Sequence, residues 1–169
     1  MCAGLTTFNA LRHSGARVGE MVAVFGIGGL GRLAVQFAAK MGFQTVAIAR
    51  GADEAPLAQE LGATHYIDSG ATDAAEALQA LGGAAAILAT APAAEAASAL
   101  VSGLRRIGSR TIRGWYSSHA RNAEATLAFA AQAGIRPMLE VFPLTQVKDA
   151  LERTQMSQAR FHTVLLPGQ

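Results

Sequence analysis

Four glycines stand within six residues at the end of an apolar run, in the stretch VAVFGIGGLG at 22–31. Gly26, Gly28 and Gly31 have the spacing G-x-G-x-x-G. The first glycine permits a tight turn, and the third lets a helix pack closely on a strand. The second lets a ligand approach the backbone, because a Cβ there would collide with a pyrophosphate. Since the N–H groups and dipole of the following helix favour negative charge, the pattern predicts dinucleotide binding. The alternative is a plain glycine-rich turn.

A second candidate for cofactor binding lies at the tip of the next predicted strand. In dinucleotide-binding turns an acid at this point holds the ribose hydroxyls of NAD, whereas an arginine suits the 2′-phosphate of NADP. Arg50 stands there, nineteen residues after Gly31, and the nearest acid, Asp53, falls three residues later. The sequence therefore favours NADP(H) over NAD(H). The alternative for Arg50 is a solvated loop residue.

The elements that must position these residues alternate between apolar strands and helices. Met21–Phe25 precedes the glycines as a buried strand, and a helix is predicted over 29–41. Further strands are predicted at 45–49, His65–Asp68, 84–89, 110–115, 136–142 and 161–166, and further helices at 55–61, 73–81 (capped by Asp73), 94–101, 122–134 and 145–156. This alternation predicts the α/β class, with a doubly wound parallel sheet of the Rossmann type.

Length and composition limit the domain count and the partners. The chain has 169 residues, which predicts one dinucleotide-binding domain over 1–169, with an N-terminal helix in 1–20 and the Rossmann core in 21–169. Hydrophobic residues make up 51% of the chain and charged residues 15%, so the chain is globular rather than disordered. A net charge of +2 does not favour nucleic acid as a partner.

Composition also bears on location. No apolar run reaches the length of a membrane span, and the first ten residues lack the features of a signal peptide. The single cysteine, Cys2, excludes an internal disulfide and fits a reducing compartment. We therefore expect no membrane partner and a cytoplasmic location.

Four stretches, in order, resemble the cofactor domain of zinc-dependent medium-chain alcohol dehydrogenases. They are MCAGLTTFNALR at 1–12, GIGGLGRLAVQFAAKMG at 26–42, LAQELGATHYID at 57–68 and ARFHTVLLP at 159–167. The resemblance implies a nicotinamide dinucleotide as cofactor and hydride transfer between an alcohol or aldehyde and NAD(P). It also implies a zinc ion that a separate, upstream catalytic domain holds.

The resemblance assigns roles to single residues. Cys2 falls where the family has its third catalytic zinc ligand, and thiolate suits zinc. Thr6 falls where the family touches the nicotinamide ring, and Leu30 where an apolar side chain backs that ring. Arg160 falls where an arginine meets the pyrophosphate. The candidate cofactor-binding residues are thus Thr6, Gly26, Gly28, Gly29, Leu30, Gly31, Arg50, Thr90 and Arg160, with Cys2 as candidate metal ligand and no catalytic residue.

The chain departs from the family in its metal ligands. A catalytic zinc site needs three protein ligands, and this sequence offers Cys2, while its histidines at 13, 65, 119 and 162 are scattered. We therefore expect no bound zinc and little or no catalysis by this chain alone. Two other interpretations stay open: a stand-alone nucleotide-binding or sensor module, and a zinc-free quinone reductase relative, against which Cys2 argues mildly.

The segment LVSGLRRIGSRTIRGW at 100–115 is a second departure, because it is too short for the family. Gly108 meets Ser109 where the family has its fifth strand and a loop that contacts the nicotinamide carboxamide. Either 109–115 moves into the vacant central position, or the sequence was joined across a disordered or deleted segment. We expect a homodimer that pairs through 109–115, which resembles the family's edge strand. The alternative is a monomer whose edge is guarded by Arg110 and Arg113.

Overall fold

Each of two compact units of the chain, Met1–Ile135 and Arg136–Gln169, has a parallel sheet of its own. A computed structural model of the protein describes residues 2–106, 111–117, 119–156, 158–159 and 162–168. One dinucleotide-binding domain with its Rossmann core in 21–169 stays a prediction; in the structure the strands after residue 135 pair with each other in a separate sheet.

The first unit is built around β1 (Met21–Phe25), which lies inside a four-stranded parallel sheet with β2 (Gln44–Ala49), β3 (His65–Asp68) and β4 (Ala86–Ala89). The order of the strands is β3-β2-β1-β4. Phe25 pairs in register with Ile48 of β2 and with Ala89 of β4, so these three strands end at the same edge of the sheet. All five residues of β1 are buried, as expected for a parallel strand with both faces covered.

Helices cover both faces of this sheet, which confirms the doubly wound α/β class. Val22 faces a cluster that includes Phe8, Phe37 and Phe129, whereas Met21, Ala23 and Phe25 face a cluster that includes Leu78. The helices are α1 (Cys2–Arg12), α2 (Gly29–Lys40), α3 (Ala55–Glu60), α4 (Ala74–Ala80), α5 (Ala94–Ala99) and α6 (Ala120–Ala133).

Two predicted helix ends are confirmed by their capping geometry. The Asp73 carboxylate accepts hydrogen bonds from the N–H groups of Ala75 and Glu76, at 2.8 and 3.0 Å, and so begins α4. Gly134 ends α6 in the left-handed conformation, with φ of 70°.

The second unit consists of two parallel strands and a helix. Its elements are β5 (Leu139–Pro143), α7 (Val147–Gln155) and β6 (His162–Leu166), and Leu139 pairs with His162. Arg153 of α7 donates from Nε and Nη2 to the Glu140 carboxylate, at 2.9 and 3.1 Å. This ion pair joins the helix to β5.

The strand predicted over 110–115 is wrong for the residues that the structure describes. Residues 111–117 contain no strand, and Ile112 is 84% exposed. Instead of facing a partner strand, the ring of Trp115 stacks on that of His13, with 4.9 Å between centroids. Arg110 and Ser109 lie outside the described residues, so the homodimer expected through 109–115 has no strand to use at 111–115.

Within the described residues, the first sheet ends at β4, before the segment 100–115 that was predicted to be too short for the family. Ala84 forms an isolated parallel bridge with Leu104, the point at which a fifth strand would begin. Within the described ranges, however, β4 pairs only with β1. In the same ranges no helix is both long and apolar enough to cross a membrane.

Candidate functional site

The glycine loop of residues 26–31 leaves the carboxyl end of β1 and turns into α2. Gly26 has φ of 90°, which favours glycine, and its N–H donates to the Ile48 carbonyl at 2.8 Å. A Cβ on Gly31 would lie 1.8 Å from the Gly26 carbonyl oxygen, so the helix start packs directly on the turn. A Cβ on Gly28 would meet no atom within 4 Å. The space in front of Gly28 therefore fits a phosphate group at the N-terminus of a twelve-residue helix.

Thr90 follows β4 and holds this loop. Its Oγ1 lies within hydrogen-bond distance of the carbonyl oxygens of Phe25 and Gly26, at 3.1 and 2.8 Å. The backbone N–H of Thr90 also donates to the Phe25 carbonyl oxygen, at 2.8 Å. The hydroxyl proton is thus directed at the loop, and Thr90 fixes the glycine turn from the neighbouring strand.

Arg50 follows β2 at the same edge of the sheet. Its side chain is exposed and makes no hydrogen bond or ion pair with the described residues. The next residue, Gly51, has φ of 91° and ψ of 139°, which turns the chain away from the strand. The guanidinium is therefore available to an anionic ligand beside the glycine loop.

Arg32 is a buried residue of this site that the sequence analysis missed. It is 4% exposed; its Nε donates to the Ile27 carbonyl at 2.8 Å, and its Nη2 donates to Glu54 Oε2 at 2.9 Å. The pair joins the glycine loop to the segment after β2. A charged residue directly after Gly31, inside an apolar helix, was the signal, because a buried arginine requires partners.

Tyr66 and Asp68, at the end of β3, were missed as well. The Tyr66 hydroxyl donates to the Gly51 carbonyl at 2.6 Å, and Asp68 Oδ1 accepts from the N–H groups of Gly51 and Gly70, both at 2.8 Å. The Gly51 N–H lowers the pKa of Asp68, and the Gly70 N–H adds to this. The signal in the sequence was the two polar residues themselves, Tyr66 and Asp68, in a predicted strand of four residues.

Burial raises the pKa of Tyr66, and the negative charges of Asp68, Glu54 and Asp53 add to the rise. The Tyr66 hydroxyl therefore keeps its proton and acts as a donor.

The remaining predicted residues lie on two helices or outside the described residues. Cys2 is exposed on α1, with its Sγ 3.8 Å from Thr6 Oγ1 one turn later. Leu30 is 38% exposed in the first turn of α2. Arg160 falls outside the described residues. The structure therefore brings together the glycine loop, Thr90 and Arg50, and separately pairs Cys2 with Thr6.

The described residues do not by themselves fit a catalytic zinc ion. In these ranges no three His, Cys, Asp or Glu side chains are grouped so that they could hold a metal. His13, for example, has its Nδ1 2.8 Å from the Asn9 carbonyl oxygen and its ring on Trp115. Cys2 therefore lacks the partner ligands that a zinc site needs within the described part of the chain.

Family and sequence comparisons give one consistent result. The family described as zinc-binding dehydrogenase matches residues 29–133. The alcohol dehydrogenase notN of Aspergillus sp. (strain MF297-2) is 40% identical, over 98% of this chain and 55% of that protein. The alcohol dehydrogenase patD of Penicillium expansum is 38% identical over the same shares. The chain thus spans about half the length of the curated relatives it matches.

Solved structures share the fold. The alcohol dehydrogenase from Aeropyrum pernix superposes with a TM-score of 0.83, at 22% identity, over 98% of this chain and 56% of that one. The CAD from Helicobacter pylori, complexed with NADP(H), gives a TM-score of 0.78 at 22% identity, over 97% and 52%.

The match to the Aspergillus protein also bears on the short segment. It extends over 186 positions, whereas this chain has 169 residues, so at least 17 positions lie opposite gaps in this chain. This agrees with a missing stretch, while its place between Gly108 and Ser109 stays a prediction.

Proposed function

The chain belongs to the zinc-binding dehydrogenase family, and from that premise we propose that it forms the cofactor-binding half of an alcohol dehydrogenase. The complete enzyme would transfer a hydride between an alcohol or aldehyde and NAD(P). One observation carries the proposal: Gly28 faces open space at the start of α2, while Gly31 is packed against the Gly26 carbonyl. This arrangement leaves room for a pyrophosphate where the helix N–H groups are free to bind it.

Different residues around the loop would bind different parts of the cofactor. The N–H groups of the first turn of α2 bind the pyrophosphate, and Gly28 keeps the approach open. Leu30, exposed beside them, offers an apolar contact to the nicotinamide ring. When bound, the nicotinamide accepts or donates the hydride.

Arg50 supports a preference for NADP(H). Its exposed guanidinium, unpaired within the described residues, suits a 2′-phosphate at the sheet edge beside Gly26. Of the three nearby acids, Asp53, Glu54 and Asp68, two are already engaged: Glu54 pairs with Arg32, and Asp68 accepts two backbone N–H groups.

Alcohol oxidation would need more than this chain supplies. A catalytic zinc takes three protein ligands, of which Cys2 would provide one thiolate. We propose that the other ligands come from a further part of the enzyme, and that the chain alone binds the cofactor without oxidising alcohol. Pairing of two copies stays a proposal that no strand at 111–115 supports.

Calorimetric titration with NADPH and NADH tests the proposal. Gly28→Val should reduce NADPH binding at least about tenfold, because its side chain fills the space that the pyrophosphate needs. Gly114→Val is the matched control, since a Cβ there also meets no atom within 4 Å and Gly114 directly precedes Trp115, whose ring stacks on His13 after α1. Binding that survives Gly28→Val unchanged would contradict the proposal, and so would equal losses in both variants.

A further inference from the structure

The segment that carries Arg50 is held by the neighbouring strand β3 through both polar groups of Gly51. The Gly51 N–H donates to Asp68 Oδ1 at 2.8 Å, and its carbonyl accepts the Tyr66 hydroxyl proton at 2.6 Å. The peptide groups on either side of Gly51 are therefore both fixed. The positive φ of Gly51, 91°, makes this conformation one that other residues rarely adopt.

The two hydrogen bonds that Gly51 makes with Asp68 and Tyr66 form a clamp, and this clamp determines the direction in which the chain leaves Arg50. Arg50 shares the peptide group whose N–H is bound by Asp68, so its backbone cannot rotate without breaking that hydrogen bond. Its side chain makes no hydrogen bond or ion pair with the described residues that would fix it otherwise. A ligand contact to a group on a fixed backbone costs less ordering entropy than one to a group on a free loop.

We propose that Tyr66 and Asp68 are positioning residues that set the preference for NADPH over NADH, by fixing Gly51 and thereby Arg50. This inference rests on the proposed function, in which Arg50 binds the 2′-phosphate. Neither residue needs to touch the cofactor. Their effect should appear only for the cofactor that carries the 2′-phosphate.

The negative charge of Asp68 makes it possible to distinguish two effects: orientation of Arg50 by the clamp, and repulsion between Asp68 and the 2′-phosphate. Removal of a negative charge near a phosphate would by itself strengthen NADPH binding. The clamp predicts the opposite, because Asp68→Asn weakens the hydrogen bond that orients Arg50. Tyr66→Phe removes the other hydrogen bond with no change of charge, so the two variants should agree only if positioning is the cause.

The experiment measures dissociation constants of the full chain for NADPH and NADH by calorimetry, for the wild type, Asp68→Asn and Tyr66→Phe. We expect each variant to lower the preference for NADPH at least about fivefold, with the constant for NADH changed less than about twofold. In an Arg50→Ala background, neither substitution should alter the preference further.

Two control variants match the chemistry of the substitutions. Asp73→Asn changes another carboxylate that accepts two backbone N–H groups, at the start of α4. Tyr116→Phe changes a tyrosine whose side chain is 84% exposed. Both controls should leave the cofactor preference as it is.

Three results would overturn the proposal while the proposed function stands: equal losses for both cofactors, tighter NADPH binding in Asp68→Asn, or an unchanged preference in Tyr66→Phe. A wild-type chain that binds neither cofactor, or that prefers NADH, would overturn the proposed function together with the clamp. Circular dichroism of each variant shows whether the fold persists. Tyr66→Phe, which keeps the aromatic ring, decides the question if Asp68→Asn does not fold.

Discussion

Two glycines of one loop have opposite surroundings, and this difference defines the site at the scale of residues. A Cβ on Gly31 would meet the Gly26 carbonyl at 1.8 Å, whereas a Cβ on Gly28 would meet nothing within 4 Å. Gly31 is therefore required by packing, while Gly28 is not required by any contact among the described residues. Because α2 begins at this loop, the open space in front of Gly28 lies where the helix N–H groups can bind an anion.

Alanine at the two positions should separate these roles. Gly31→Ala should lower the free energy of unfolding by about 1–3 kcal/mol, because the methyl group forces α2 away from the turn. Gly28→Ala, with φ of −76°, should change it by less than about 0.5 kcal/mol. Urea denaturation of both variants measures the difference. Similar free energies of unfolding for the two variants would show that the close contact at Gly31 does not require glycine there.

The site residues that could be predicted from the sequence and those that could not differ in the sequence separation between each residue and its contact partner. Gly26, Gly28 and Gly31 act within one turn, so their spacing was enough to predict the geometry. Arg32 and Glu54 are 22 residues apart, and Tyr66 reaches back 15 residues to Gly51. Such contacts depend on the order β3-β2-β1, which the sequence pattern alone does not supply.

At the scale of elements, two strands of the first sheet occur as predicted. Met21–Phe25 is a fully buried apolar run, whereas His65–Asp68 is a short edge strand in which only Ile67 is buried. Residues 111–115 were predicted as a strand from their alternation, yet within the described residues no strand pairs with them. Alternation predicts a strand only where a partner is available.

The end of β3 should give the protein a pH-dependent stability. The Gly51 N–H lowers the pKa of Asp68 in the folded state, so the carboxylate stabilises the fold above its unfolded pKa of about 3.9. This contribution is lost as pH falls through the lowered, folded pKa. Wild type should therefore be more stable than Asp68→Asn at pH 7, and the difference should disappear in strong acid.

Urea denaturation at several pH values between about 7 and 2 measures this difference. Asp68→Asn is a close control, because its side-chain oxygen can still accept a hydrogen bond but carries no charge. A difference between the two proteins that does not vary with pH would show that the charge of Asp68 is not the cause.

At the scale of the whole molecule, the sequence predicted the class of fold but not its division. The sheet of the first unit is parallel and doubly wound, as alternating strands and helices predicted. The boundary at Ile135 was not predicted, because the strands after it have the same apolar character as those of the first sheet. Which strands pair is a property of the fold that composition does not report.

The central claim is that a nicotinamide dinucleotide binds at the glycine loop beside the end of β2. The most direct test is a two-dimensional amide spectrum of the ¹⁵N-labelled chain during titration with NADPH. We predict that the amide signals of Gly28, Gly29, Leu30 and Gly31 shift together with that of Gly51, while the amide signals of Gly82 and Gly83, which precede β4 in the same unit, stay in place. Saturating NADPH that leaves the signals of the glycine loop unmoved would contradict this claim.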